Sequence, residues 1–123
     1  MQHSNSHFSS FLDSMEQVNN FKGGVIVNKK GTIVADNFKD FSRAEQIAAL
    51  TSDTLNNTIG FTREGRTGRF RNILLEGSFG KIYVIALNTS GYYAAITGTK
   101  GMNIGMINAI FAELTSDIDK IKS

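Results

Sequence analysis

Hydrophobic positions near both ends of the chain recur every three or four residues, which is the period of a helix packed on one side. The first stripe predicts a helix over residues 7–18, and the second predicts a helix from about residue 102 to residue 121. The first stripe consists of Phe8, Phe11, Leu12, Met15 and Val18, and the second of Ile104, Ile107, Ile110, Phe111, Leu114, Ile118 and Ile121.

A third helix is predicted in the middle of the chain, where small apolar residues recur at the same spacing. Ser42 and Glu45 fit a capping box, in which each side chain accepts a hydrogen bond from the other residue's amide. Gly60 suits the position that follows a helix, so the helix is expected to end near Ile59. The stripe consists of Ala44, Ile47, Ala48, Thr51, Leu55 and Ile59, and its small side chains would allow close packing.

Five shorter apolar runs predict strands, at residues 25–28, 32–36, 70–76, 81–87 and 92–97. The connections within the first pair and within the last three strands are short and rich in turn residues, so these neighbours must be antiparallel. Residues 81–87 are apolar on both faces, which favours helices on both sides of the sheet. The predicted fold is therefore α+β, an α/β sandwich with a five-stranded, mostly antiparallel sheet between helices.

Composition supports one domain with a real core, because 41% of the 123 residues are hydrophobic and 20% are charged. We expect a loose tail at residues 1–7 and a single domain at residues 8–123. The chain has no cysteine, which excludes disulfides. No apolar run approaches the roughly 20 residues of a membrane span, and the first residues lack a signal-peptide core, so a cytoplasmic protein is expected. The net charge of +2 only weakly favours acidic partners.

Four segments, in this order and spacing, resemble the roadblock/dynein light chain (MglB-like) domain family. They are the hairpin GGVIVNKKGTIVADN, the helix SRAEQIAALTSDTLNNT, the strand pair FRNILLEGSFGKIYVIALN and the helix start NIGMINAIFAEL. The resemblance covers residues 8–121. The longin and profilin folds share parts of the same plan.

The resemblance implies a homodimer or heterodimer. In the family, the third strand lies at the sheet edge and pairs with its twin, and the second helices pack beside each other. Residues 70–75 agree, because an apolar edge strand without proline accepts another strand. The implied interface comprises Ala44, Ile47, Ala48, Thr51, Leu55, Phe70, Arg71, Asn72, Ile73, Leu74 and Leu75. The alternative is that these residues only pack on their own sheet.

The resemblance also implies a non-enzymatic platform. Some family members bind or regulate Ras-like GTPases, among them MglB, which stimulates hydrolysis by its partner, and others join dynein or lysosomal scaffolds. We therefore expect a regulator of a small Ras-like GTPase, and the alternative is a purely structural subunit of a larger complex. The candidate partner-binding residues are Arg43, Gln46, Asp53, Arg63, Arg66 and Arg69, with Asn56 and Asn57 beside them.

The arginines form a cluster in a segment, residues 61–69, that is predicted as a loop. Arg63, Arg66, Arg69 and Arg71 fall within nine residues. A solvated loop is the simplest interpretation. Steering of an acidic partner surface is the functional one, and binding of nucleic acid or a phospho-ligand is a further alternative.

Residues 97–105, TGTKGMNIG, resemble a phosphate-binding turn because glycines separate a strand from a helix. However, Lys100 precedes Gly101 and no Ser or Thr follows, so the P-loop pattern is not met. An antiparallel meander also lacks the crevice of a doubly wound sheet. We expect a tight connection capped by Asn103 or Thr99, with Gly105 packed close to the sheet.

No catalytic, cofactor or metal site is expected. His3 and His7 could share a helix face, but no third ligand is near them in the sequence. Three carboxylate pairs occupy positions typical of solvated charges, namely Asp13/Glu16, Asp36/Asp40 and Asp117/Asp119. The chain has no other histidine and no cysteine to complete a nucleophile–base pair.

Overall fold

The structure confirms an α+β fold around a five-stranded antiparallel sheet. The computed structural model describes the backbone of residues 2–87 and 91–122 and the side chains of residues 7–87 and 91–113. Its helices are α1 (Gln2–Ser14), α2 (Phe41–Glu64) and α3 (Ile104–Lys122), and a 3-10 turn (Met15–Gln17) follows α1. Its strands are β1 (Phe21–Asn28), β2 (Ile33–Asp36), β3 (Asn72–Glu76), β4 (Gly80–Leu87) and β5 (Tyr92–Thr99).

The strands lie in the order β2-β1-β5-β4-β3, and every neighbouring pair is antiparallel. The predicted hairpin and the predicted meander are both present. The first hairpin lies next to β5, so β1 is an inner strand and β3 is an edge, as predicted. The middle of the sheet consists of β1, β5 and β4, whose central residues are buried on both faces.

Two separate hydrophobic cores confirm that helices cover both faces. On one face, α1 and α3 pack on the sheet, with Phe11, Met15 and Ile107 buried against Ile26 and Ile96. The hydroxyl of Tyr83 donates to Oδ1 of Asn108 at 2.8 Å and joins β4 to α3.

On the other face α2 packs alone. Ile47, Ala48 and Leu55 lie against Val25 and Val84. The stripe of small apolar residues that the sequence predicted on α2 therefore packs against the sheet.

The outer helices differ from the predictions in detail. Helix α1 begins at Gln2, five residues before the predicted start. Asn103 caps α3 as expected, since its Oδ1 accepts from the Met106 amide at 3.0 Å. The expectation for Gly105 is wrong, because this residue is exposed and does not pack on the sheet. Leu114, Ile118 and Ile121 have side chains outside the described residues.

The predicted capping box of α2 is wrong. Asp40 is the N-cap, and its carboxylate accepts from the amide of Ser42 at 3.0 Å and from the Ser42 hydroxyl at 2.9 Å. Ser42 therefore lies inside the first turn, where its hydroxyl is a donor to the true cap. Asp40, two residues before Ser42, is the better N-cap, because a charged carboxylate suits the positive end of a helix.

Helix α2 also runs past Gly60 to Glu64, so the predicted end is wrong. A glycine costs a helix only about 1 kcal/mol, and the next four residues can all continue it. The helix ends in a Schellman motif, in which the Arg66 amide donates to the Arg63 carbonyl and the Thr67 amide to the Thr62 carbonyl. Arg66 holds the left-handed position, with φ of 56°. Arg63 is therefore helical, and only the later arginines lie in a loop.

Asn37, just after β2, joins three elements in a way that the sequence did not indicate. Its Oδ1 accepts from the Gly24 amide at 2.8 Å, and its Nδ2 donates to the Leu12 carbonyl at 2.9 Å. One amide side chain thus connects the end of β2 to β1 and to α1.

We expect Asp40→Ala to lower the free energy of unfolding by about 1 kcal/mol, the usual cost of losing an N-cap. Glu45→Ala should leave it within about 0.5 kcal/mol, because Glu45 is exposed and does not cap the helix. Urea denaturation at one fixed protein concentration would measure both values. A larger loss of unfolding free energy for Glu45→Ala than for Asp40→Ala would contradict the Asp40 cap and support the capping box.

We expect Gly98→Ala to destabilise the fold by about 1–3 kcal/mol through overpacking. A Cβ there would lie 2.5 Å from both the Asn20 carbonyl oxygen and the Met102 sulfur. Gly60→Ala is the matched control, because nothing lies within 4 Å of its Cβ position in α2. That change should stabilise the protein by about 0.5–1 kcal/mol. Thermal and urea unfolding of both variants would check the opposite signs, and a tolerated Gly98→Ala would contradict the packing.

Candidate protein-interaction site

One helix on one face of the sheet leaves part of that face uncovered. The outer strands lie about 19 Å apart at the usual spacing of about 4.8 Å, while a helix is only about 10 Å across. Ile73 and Leu75 on β3 lie opposite Val84 and Ile82 of β4, so these side chains share the face of α2. Val84 is buried, whereas Leu75 is 42% exposed. Coverage by α2 therefore ends before the β3 edge.

The edge strand β3 has β4 on one side, and no other described strand pairs with it. Ile73, Leu74 and Leu75 make this edge apolar, and the last two are exposed. An exposed edge of this kind can pair with another strand, since its outward amides and carbonyls have no partner strand. The sequence predicted this feature correctly.

A line of side chains on α2 faces the same edge. Arg43 and Ile47 border a groove with Leu75. Helical spacing continues this side of α2 through Leu50 and Phe61. Leu50 is 60% exposed and Phe61 is 78% exposed. We call the group Leu50, Phe61, Ile73 and Leu75 the β3–α2 surface. Leu74 lies opposite Tyr83, on the other face of the strand.

The family resemblance placed five residues of α2 in a dimer interface. All five are buried against the chain's own sheet, namely Ala44, Ile47, Ala48, Thr51 and Leu55. The Thr51 hydroxyl is satisfied there, donating to the Ile47 carbonyl at 2.6 Å. This burial supports the alternative that these residues pack on their own sheet. Leu50 and Phe61 are large apolar residues that lie outside the buried stripe, and the sequence analysis did not identify them.

A groove beside α2 lies at its N-terminal end and has a volume of about 800 Å³. Ile47 and Ile82 line it together with charged residues of both signs, namely Lys39, Arg43, Asp40 and Glu76. Phe79, in the β3–β4 turn, is almost fully exposed at its side. We call this the N-terminal groove.

The second groove, which we call the arginine groove, lies at the other end of α2 and encloses about 640 Å³. Four cationic residues line it, namely Lys29, Arg63, Arg66 and Arg69, together with Phe70, Tyr92 and Tyr93. Arg71 is exposed in the segment before β3 and does not line this groove. The sequence identified the cluster, and the structure shows that Lys29 from the β1–β2 turn joins it.

The predicted partner-binding residues therefore fall into separate groups. Arg43 lies at the N-terminal groove and Arg63 lies twenty positions later, about 30 Å away along the helix. Gln46 and Asp53 lie between them on the outward side of α2, where Asn56 and Asn57 are also exposed. A partner that contacts both ends of this set must extend about 30 Å along α2, which is about the diameter of a small domain.

Residues 97–105 form a tight connection with their own packing partners. The Met102 amide donates to the Thr99 carbonyl, and the Thr99 amide donates to the Asn20 carbonyl, both at 3.0 Å. Gly98 and Gly101 both pack against Asn20. The strand before this turn, β5, is antiparallel to both of its neighbours. This geometry favours the structural interpretation over a phosphate cradle.

The carboxylate and histidine candidates do not form a cluster. Among the described side chains, no group of three or more His, Asp or Glu residues could hold a metal ion. Asp13, Glu16 and Asp40 are exposed, and Asp36 and His7 are half-buried. His3, Asp117 and Asp119 have side chains outside the described residues. None of the described helices is long and apolar enough to cross a membrane.

Comparison with known proteins identifies the fold. The family model described as Roadblock/LC7 domain matches residues 9–97. A Roadblock/LC7 domain from Streptomyces avermitilis superposes with a TM-score of 0.80 at 17% identity, covering 92% of this chain and 95% of that one. Myxococcus xanthus MglB gives 0.79 at 16% identity, with 95% and 88% covered. The gliding protein MglB from Thermus thermophilus gives 0.75 at 11% identity, with 89% and 84% covered. The search of curated proteins gave no match.

Proposed function

We propose, from the premise that this chain belongs to the Roadblock/LC7 domain family, that it is a non-enzymatic, dimeric regulator of a small Ras-like GTPase. The β3–α2 surface is the observation that carries this proposal. It combines an edge strand that is open on one side with exposed Leu50 and Phe61 on the adjacent helix. Such an apolar surface is typical of a protein–protein contact.

A second copy is the occupant that suits this surface best. Two β3 strands related by a two-fold axis would be antiparallel and would pair their outward amides and carbonyls, giving a continuous ten-stranded sheet. Leu50 and Phe61 of each copy would be brought towards the same contact. Burial of apolar side chains there contributes about 25 cal/mol per Å². The dimer would thus close the edges that each copy leaves open.

The GTPase role is supported by the family resemblance and by the outward side of α2. Gln46 and Asp53 are exposed and belong to neither hydrophobic core. In the dimer the two α2 helices would present a composite face to the switch regions of a GTPase and bias their conformation. A purely structural subunit would use the same dimer without changing GTP turnover.

The double variant Leu50→Asp/Leu75→Asp should convert the dimer to a monomer, because it places charge in the apolar contact while disturbing two exposed side chains. Sedimentation equilibrium at micromolar concentration should give twice 13.5 kDa for the wild type and 13.5 kDa for the variant.

Phe41→Asp is the matched control for this experiment. Phe41 is also an exposed apolar residue of α2 (54%), but it lies about 180° around the helix from Leu50. This variant should remain dimeric. A wild type that sediments at 13.5 kDa, or a double variant that stays dimeric, would refute the proposed interface.

Binding to a GTPase should depend on nucleotide state and on the outward side of α2. Ras-like GTPases encoded near this gene would be loaded with GDP or a non-hydrolysable GTP analogue and titrated with the dimer. Gln46→Ala/Asp53→Ala should weaken binding to the preferred form by about fivefold or more, the usual effect of losing important contacts.

Gln17→Ala, an exposed change near the end of α1, is the control and should not alter the affinity. GTP turnover with and without the dimer would then separate a regulator from a structural subunit. Failure to bind either nucleotide state would contradict the GTPase proposal while leaving the dimer intact.

A further inference from the structure

The arginine groove has properties that neither the dimer nor the GTPase contact requires. It lies between the C-terminal end of α2, the β1–β2 turn and the start of β5. Its four cationic residues come from three different segments, with Lys29 from the turn, Arg63 from the helix, and Arg66 and Arg69 from the following loop. The fold brings these charges to one concave site.

The positive charge of the groove is not balanced within the described residues. No Asp or Glu lines the groove, and none of the four cations forms an ion pair. The carbonyl end of α2 contributes only about half of a negative charge. All four side chains are exposed and line the same groove. Like charges repel one another, so an anion that binds between them relieves this repulsion as well as gaining its own contacts. Arginine side chains suit phosphate oxygens because they can donate two parallel hydrogen bonds.

Aromatic rings form a second part of the groove. Phe70 and Tyr93 pack with ring centroids 6.3 Å apart and planes tilted by 50°. Both are only partly buried, so each ring keeps an exposed part beside the arginines. Tyr92 is different, because its ring packs on Phe8 in the core on the opposite face of the sheet. A planar ring can stack against Phe70 and Tyr93, which a site for bare phosphate would not need.

Arg66 adds an independent observation. It is the residue after the last turn of α2 and holds φ of 56°, a position where glycine is strongly preferred. A side chain in this conformation is disfavoured. The sequence nevertheless carries an arginine here, at the border of the groove. Strain of this kind, when it places a charged group in a cleft, is typical of a binding site.

From these observations we propose that the arginine groove binds a nucleoside polyphosphate, with the phosphates on Arg63, Arg66, Arg69 and Lys29 and the base against Tyr93 and Phe70. The volume of about 640 Å³ is that of a small-molecule site. A phosphorylated protein segment would use the cations and leave the rings unused. This inference goes beyond the proposed function and does not depend on it.

Paired probes test the inference directly. The full chain, alone and without divalent metal, would be titrated calorimetrically at low ionic strength with ATP and with inorganic tripolyphosphate. Both probes carry three linked phosphates, and only ATP carries a ring. ATP should bind at one site per chain and at least about fivefold more tightly than tripolyphosphate, the contribution expected from stacking. Equal affinity for the two probes, or no binding of ATP, would overturn the proposal.

Two variants separate the contributions of charge and stacking. Arg66→Gly should weaken ATP binding about tenfold or more, since a charged hydrogen bond is lost. It should leave the melting temperature unchanged or higher, because glycine suits the left-handed position. Tyr93→Leu should remove the preference for ATP over tripolyphosphate. If Tyr93→Leu does not fold, Phe70→Leu would be measured instead and should have the same effect.

Lys30→Ala is the control for charge. Lys30 is exposed next to Lys29 but does not line the groove, and its loss should lower the ATP affinity far less than Arg66→Gly does, because only a long-range charge effect is removed. Wild-type ATP affinity in Arg66→Gly would refute the proposal. The proposal would also be refuted if the protein bound a twelve-nucleotide single strand, or vesicles that contain a phosphorylated inositol lipid, more tightly than ATP.

Because the experiment contains no GTPase, its outcome is independent of the partner-binding test. A monomeric Leu50→Asp/Leu75→Asp variant that still binds ATP would show that the groove belongs to a single chain.

Discussion

The packing of α2, alone, on one face of a five-stranded sheet is the constraint from which the surface features follow. The opposite face is covered by two helices, α1 and α3. A single helix about 10 Å wide cannot cover a sheet whose outer strands are about 19 Å apart. It packs over the central strands through its stripe of small residues and leaves the β3 edge of this face uncovered.

The length of α2 is the second determinant. Its 24 residues extend about 36 Å, longer than any strand beneath it. Both grooves lie at its ends, where the helix passes over the turns between strands. The β3–α2 surface occupies the space between them on the open side. One helix therefore sets the places of an apolar contact surface and of a cationic groove.

Local hydrogen bonds fix where α2 begins and ends, and these decide which residues are available for binding. The Asp40 cap places Arg43 in the first turns, beside the N-terminal groove. The Schellman motif at Arg66 turns the chain so that Arg69 and Phe70 return towards the sheet and complete the arginine groove. Had the helix ended at Gly60, as its sequence suggested, Arg63 would not be held on the helix.

The sequence by itself determined the order of the helices and strands, the antiparallel pairing and the helices on both faces. Periodicity and short turns encode these features locally, and together they matched one family. It also identified β3 as an apolar edge and the arginines as a cluster. Only the tertiary structure decided that Ala44 and Ala48 face their own sheet while Leu50 and Phe61 face outward, because periodicity finds an apolar stripe without saying which surface buries it. The tertiary structure also decided the roles of Lys29, Asn37 and Arg66, because their neighbours are distant in the chain or depend on where a helix ends. It likewise decided how far apart Arg43 and Arg63 lie, because α2 continues through Gly60.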